Sequence, residues 1–404
     1  MPETLIDGRL SAVVVRRKWF EAASTADGFH DLPAAVVNYV NDVQQKGVYA
    51  RHELPQRTMQ AFHADYYVAE VDNGGHSQFI RNAGAMLPTI VADALGGLEA
   101  MGARAQHQIL TEMDAWVGAH PEEARAQTGF DVRAKPLDEL DTRFYAAERE
   151  MPIAQLSARW ITTWPELRVV PDEQYSSAID QIAALNPFLG VRLIWKTVQN
   201  LRYQMTDQLQ ISIAAACGAV IPEPEAKLTV AGGGYEEIEG QRCLAFAVRT
   251  DKGMRFCVFD DAGARLYDYV QRSPVPKLGP DLNLDDLKNF KGPHAGVRLS
   301  TVSANTIRQF VAAGNETRAP EAIDLLLRKA GLEPNAMITA WKLQDGGATW
   351  IVATGGHRIV AVTSREWAEL IDQNSKPIVA VTKVEINLHV AEAAKGGASL
   401  RSPT

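Results

Sequence analysis

The sequence predicts a multidomain protein, with a mostly α-helical N-terminal domain followed by an α+β C-terminal region built on antiparallel β-meanders. Three observations carry that expectation. From about Leu10 to Ala216, apolar residues recur at spacings of three and four, the period of a helix with one buried face. The stretch Ile221-Pro222-Glu223-Pro224-Glu225 breaks any helix and forces an extended path. Beyond it, short β-type runs are separated by Asp and Gly, the residues that tight turns require. A chain of 404 residues also exceeds what one hydrophobic core usually organises.

The clearest helix carries Leu87, Ile90, Val91, Ala94, Leu95, Leu98 and Met101 on one stripe and ends at Gly102. Segments 33–43, 56–71, 137–148 and 191–209 read similarly. The expected division is a helical acidic domain over 1–220, a linker over 221–225, an α+β region over 226–393 and a disordered tail over 394–404. In the α+β region one three-stranded meander runs through 243–250, 254–259 and 264–270, and a second through 338–343, 348–353 and 358–363. A shift of 94 residues places Asp251 on Asp345, Gly253 on Gly347 and Phe256 on Trp350. Each meander is followed by an expected helix, 284–290 or 365–372, and then a strand, 296–302 or 377–386. A duplicated β-β-β-α-β unit is therefore expected, against the alternative of two unrelated meanders with common turn chemistry.

Composition bounds the function. Hydrophobic residues at 46% and charged residues at 22% are ordinary globular proportions. No apolar run approaches the roughly 18–20 residues of a membrane span. Met1-Pro2-Glu3-Thr4 does not open a secretory signal. A cytoplasmic address with no membrane contact is expected. Cys217, Cys243 and Cys257 show no CxxC spacing and read as core thiols. The net charge of −8 is concentrated: residues 61–150 hold 15 Asp and Glu against 7 Lys and Arg. Such asymmetry suits a basic protein partner or a solubilising surface, and disfavours direct nucleic-acid binding.

The most distinctive passage is Glu70-Val71-Asp72-Asn73-Gly74-Gly75-His76-Ser77-Gln78-Phe79-Ile80-Arg81-Asn82. Asn73-Gly74-Gly75 should end one helix, since glycine enters the left-handed region without steric cost, and a second helix should start near His76. Gln78 and Asn82 then share a face. Glu70 falls within the stripe of Met59, Phe62 and Tyr66, so its carboxylate should turn inward and need donors from Gln78, Arg81 or Asn82. Such a cluster locks a helical corner, or it is a catalytic site with Glu70 as base. No nucleophile or metal set accompanies it.

These residues, with the later Leu98-Glu99-Ala100-Met101-Gly102-Ala103, resemble the signature of the bacterial DNA-mimic-protein-nineteen-like family over about residues 35–150. The carriers are Glu70, Asn73, Gly74, Gly75, Gln78, Asn82 and Gly102; His76 departs from the pattern, which often has an aromatic residue there. The resemblance implies a helical fold and a protein that offers carboxylates to a DNA-binding regulator in place of DNA phosphates. The carboxylates assigned to that partner-binding surface, all read as lying on helix exteriors, are Asp93, Glu99, Glu112, Asp114, Glu122, Glu123, Asp138, Glu139 and Asp141.

Other constellations point away from catalysis. The nine histidines form no HxH or HExxH pair, so no metal or other cofactor is expected. Gly232-Gly233-Gly234 lacks the context of a phosphate loop and reads as a turn. The expectation is a non-enzymatic regulatory protein that binds a basic partner and is able to form a homodimer. Two alternatives stand beside it: an enzyme or small-ligand protein with a pocket in the α+β region or at a domain interface, and a component of bacterial conflict or phage defence.

Overall fold

A computed structural model describes residues 5–6, 8–23, 25, 28–129, 131–273 and 292–401. The chain divides into two compact units, the first ending at Leu189 and the second spanning Gly190–Ser399.

The first unit is helical around two cores. It opens with the short strands β1 (Leu5–Ile6) and β2 (Arg9–Leu10), then β3 (Val13–Arg16) and the helices α1 (Arg17–Ala22) and α2 (Asp31–Lys46). The long α3 (Gln56–Ala83) is followed by α4 (Leu87–Met101), α5 (Arg104–Ala119), α6 (Pro121–Ala126), α7 (Lys135–Glu150) and α8 (Ile153–Ile161). Strand β4 (Leu167–Val170) and α9 (Tyr175–Ala184) complete it. The parallel pair β3–β4 breaks the expected helical run. Three consecutive β-branched residues, Val13 to Val15, are all buried, and they favour a strand wherever both faces are covered. One core joins these valines to Tyr39, Val40, Ile179 and Trp164; the other gathers Tyr67, Phe79, Leu98, Leu110, Met113 and Phe144. Gly102 closes α4 in the left-handed conformation, as its position implies.

The second unit begins with α10 (Leu189–Thr206) and α11 (Gln208–Gly218), the latter capped by Asp207, whose Oδ1 accepts the Gln210 N–H. Two five-stranded antiparallel sheets follow, each in simple sequential order. The first comprises β5 (Lys227–Ile238), β6 (Gln241–Thr250), β7 (Gly253–Asp260), β8 (Gly263–Val270) and β9 (His294–Ser303). Helices α12 (Ala304–Glu316) and α13 (Ala319–Lys329) lead into β10 (Met337–Gln344), β11 (Gly347–Thr354), β12 (His357–Ser364), β13 (Trp367–Ile371) and β14 (Pro377–Thr382). Helix α14 (Lys383–Ser399) ends the unit. No described helix is long and apolar enough to cross a membrane.

Ile221–Glu225 lies inside this second unit rather than between units. Glu225 is buried, accepting from Arg255 at 2.8 Å and from the Thr250 hydroxyl at 2.7 Å. Helix α11 also belongs here, because Ile211, Ile213, Ala214, Ala215, Ala216 and Cys217 are all buried. A helix apolar on every side needs cover on every side, and α11 packs on strands of both sheets.

The duplication is real in form, but its register differs from the expected one. Each repeat is a helix pair followed by five strands, so β6–β8 correspond to β11–β13. The strand pairs Ala245–Val258 and Phe256–Tyr267 recur as Thr349–Val362 and Val360–Ile371, an offset of 104 (256 to 360, 267 to 371). Trp350 therefore matches Phe246, and both face the helices; Phe256 lies on the opposite face. The reading at 94 fails because Gly232–Gly234, taken for a turn, runs within β5 and adds a strand to the first copy.

Three local expectations also change. The helix expected over 365–372 is replaced by β13 (Trp367–Ile371), with Ala368 and Leu370 buried and Trp367 exposed, a period of two. The strand over 377–386 stops at Thr382, where Glu385 accepts the Thr382 N–H and α14 starts. Residues 394–399 extend α14 instead of forming a tail, and Gly396 lets it approach α10 so closely that a Cβ would lie 2.1 Å from the Val191 carbonyl oxygen. The helix expected over 284–290 and the last three residues fall outside the described residues.

Lys227 is a buried amine in this core, its Nζ donating to Gln210 Oε1 at 3.2 Å. Burial lowers its pKa from 10.5 to about 8. Below pH 8 the folded protein thus holds a charge that the unfolded chain would solvate, and this cost disappears as pH rises toward 10.5. Lys227→Met should therefore stabilise the protein by about 1–3 kcal/mol at pH 7, with the advantage shrinking steadily above pH 8. Urea denaturation of both proteins across that pH range checks it; a gap independent of pH would refute the assignment.

Candidate functional site

The corner read from the sequence is built inside α3. The helix breaks at Gly74 (φ −161°, ψ 21°) and Gly75 (φ 74°, ψ −177°) and resumes at His76. Both glycines are sterically required. A Cβ on Gly75 would sit 2.1 Å from Asp141 Oδ2, and one on Gly74 would sit 2.2 Å from Gln78 Oε1. Glu70 finds the expected donors, accepting from Gln78 Nε2 at 2.9 Å and Asn82 Nδ2 at 2.7 Å. Tyr66 joins them: burial, and then the charge and hydrogen bond of Glu70, push its phenol up to about 12. Glu70 is only half-buried, and Asn73 and Asn82 are exposed.

The buried centre of the corner is a different set. His76 is wholly inaccessible. Its Nδ1 lies 2.5 Å from Asp141 Oδ1, its backbone N–H donates to the same oxygen at 2.8 Å, and its Nε2 lies 2.8 Å from the Tyr67 hydroxyl. Arg133 completes the set, donating from Nη2 to Asp141 Oδ2 at 2.6 Å and from Nη1 to the Gly74 carbonyl at 2.8 Å. Burial and the charges of Asp141 and Glu148 push the Tyr67 phenol well up. A Tyr–His–Asp line can relay protons, but here it is closed from solvent and its atoms serve one another. Its chemistry is that of a fastener holding α7 against the break in α3.

Asp141 was expected on a helix exterior and is 4% exposed; Asp93, expected likewise, is 8% exposed. Both signals were present in the sequence. Asp141 follows Leu137 by four and precedes Phe144 by three, and Asp93 follows Ile90 by three, so each falls on its helix's apolar stripe. Asp93 Oδ2 accepts from Arg51 Nε at 3.0 Å and lies 2.7 Å from His63 Nδ1. Burial opposes its ionisation, but these two bonds outweigh burial and hold the carboxyl below its usual range. The adjoining cavity of about 360 Å³ is lined by Arg9, His52 and Met59 among others.

The other seven carboxylates reach solvent, though not uniformly. Glu112 is gripped by both terminal nitrogens of Arg143, which lowers its pKa. Glu122 pairs with Arg125 at 2.6 Å and Asp138 with Arg133 at 2.9 Å. Glu99, Asp114, Glu123 and Glu139 are exposed. Among the described residues, no group of His, Cys, Asp and Glu is arranged to hold a metal ion.

The corner predicts a hierarchy of stability. Asp141→Asn should strip charge-assisted bonds from His76 and Arg133 in a closed site and destabilise by about 2–4 kcal/mol. Glu70→Ala, at a half-buried position, should cost only about 1–2 kcal/mol. Chemical denaturation ranks the two; a Glu70 effect equal to or larger than that of Asp141 would contradict the assigned centre.

No curated protein and no solved structure matches the chain. A family model does match, and it covers the corner, both halves of α3 and the helices through α8. It lies somewhat C-terminal to the expected span of 35–150. Residues 52–164 of this chain match the model of the DMP19-like protein family, the family that the Asn-Gly-Gly passage resembles.

Proposed function

We propose that the protein is a non-enzymatic regulator whose DMP19-like domain binds a basic partner, a DNA-binding regulator, by offering carboxylates where that partner would meet DNA phosphates. The observation that supports this reading is a group of solvent-facing carboxylates on the matched segment: Asp114 on α5, Glu122 and Glu123 on α6, Asp138 and Glu139 on α7. Helix α5 packs against both α6 and α7, which keeps the three in one neighbourhood. Arg125, Arg133 and Arg143 interrupt the group, so the acidic patch is short. Long-range attraction then contributes more to the rate of encounter than to final affinity.

The full-length protein, used as bait in an extract of its native host, should retain a DNA-binding protein identified by mass spectrometry. Retention should fall steeply between about 50 and about 300 mM salt, as screening shortens to less than 10 Å, and duplex DNA should displace the captured protein. Changing Asp114, Glu122, Glu123 and Glu139 together to Lys should slow association in surface plasmon resonance without moving the melting temperature, because exposed charges contribute little to folding. A captured protein that ignores salt, duplex DNA and the charge reversal would end this proposal.

A further inference from the structure

The two sheets use their outer faces differently. In the first, Phe256, Val258 and Tyr267 pack with Ile238 and Ala245 into a small closed cluster, and Phe256 stacks on Tyr269 with ring centroids 4.7 Å apart. In the second, the positions equivalent to Phe256 and Tyr267 are Val360 and Ile371. Two rings are thus exchanged for two aliphatic side chains on the same framework. A cleft of about 760 Å³ lies over these positions, floored by Ile351, Val360, Val362 and Ile371. That size falls within the range of about 300–1,000 Å³ typical of small-molecule sites.

The charges around the cleft are unequal in their satisfaction. Arg358 donates to Asp251 at 2.6 Å and to the Pro224 carbonyl at 2.8 Å, and Lys252 pairs with Glu223 at 3.2 Å. Asp372 accepts the backbone N–H groups of Asn374 and Lys376. Lys342 differs. Its ammonium lies over the Trp341 ring, 4.3 Å from the centroid, with no carboxylate partner among the described residues. Lys252, Lys342 and Arg358 equal Glu223, Asp251 and Asp372 in number along the lining, so the local positive charge is that of Lys342 alone, and it stands beside an apolar floor.

We propose that this cleft is a binding site for a small aromatic carboxylate, whose ring takes the place that Phe256 and Tyr267 fill in the first sheet and whose anion meets Lys342. β-Branched floor residues present a flat, stiff surface that suits a planar ring. The rim pairs Arg358–Asp251 and Lys252–Glu223 hold the cleft's end wall in place without competing for the anion.

The test uses 2-naphthoate and the full chain in isothermal titration calorimetry, with neutral 2-naphthol as the comparison. Saturable binding of 2-naphthoate is expected. Val360→Phe, which restores the residue of the first sheet, should abolish it with the melting temperature kept; should that variant melt early, Ile371→Tyr makes the same test from the neighbouring strand. Lys342→Met should weaken 2-naphthoate by about tenfold, the loss of one charge-assisted contact, while leaving 2-naphthol unchanged. Absence of saturable binding, binding that survives both filling variants, or an equal effect of Lys342→Met on both compounds would overturn the proposal.

Discussion

A carboxylate persists in a protein interior only where donors converge on it, and Asp141 is the point on which the helical unit turns. Its two oxygens take the His76 backbone, face the His76 ring and accept the Arg133 guanidinium, three groups contributed by two separated segments. The requirement runs backward into the sequence. Gly75 must lack a side chain because Asp141 occupies the space, and it must adopt a positive φ because only then does α3 bend enough to bring His76 to that carboxylate. Arg133 is recruited both to the carboxylate and to the Gly74 carbonyl at the bend. The Asn-Gly-Gly signature thus reports a geometric necessity, which is why it marks a fold more securely than an activity.

Much of this was legible in the sequence, and the limits have physical causes. The Gly-Gly break and the Glu70–Gln78–Asn82 contacts follow from local chemistry, since all lie within thirteen residues. Asp141 is 65 residues from His76, and no local rule pairs them; what was available was the stripe position of Asp141, outweighed by the habit of placing carboxylates outside. The same habit misplaced Asp93. In the second unit, strand content was plain from alternation and turn residues. The register of the repeat was not, because three consecutive glycines look like a turn and here form part of an exposed strand.

Placement of charge bears on the functional reading in the same way. A count over residues 61–150 treats every carboxylate as surface, whereas two are interior fasteners and three share their charge with arginines. What faces solvent is more modest than the composition suggests, and it is confined to a few helices. The acidic bias therefore has two origins, one in folding and one in surface potential.

Helix α11 carries a consequence of another kind. Repeat architectures usually behave as chains of semi-independent modules, each able to open while its neighbours stay closed. Here the two copies share one continuous core, and a helix apolar on every side is inserted into it, so close that a Cβ on Gly218 would lie 1.8 Å from the Ala340 carbonyl oxygen in β10. Neither sheet can detach without exposing that helix to water. The second unit is a repeat in its construction and a single cooperative body in its thermodynamics: partial opening is suppressed, and the duplicated halves must gain or lose their structure together.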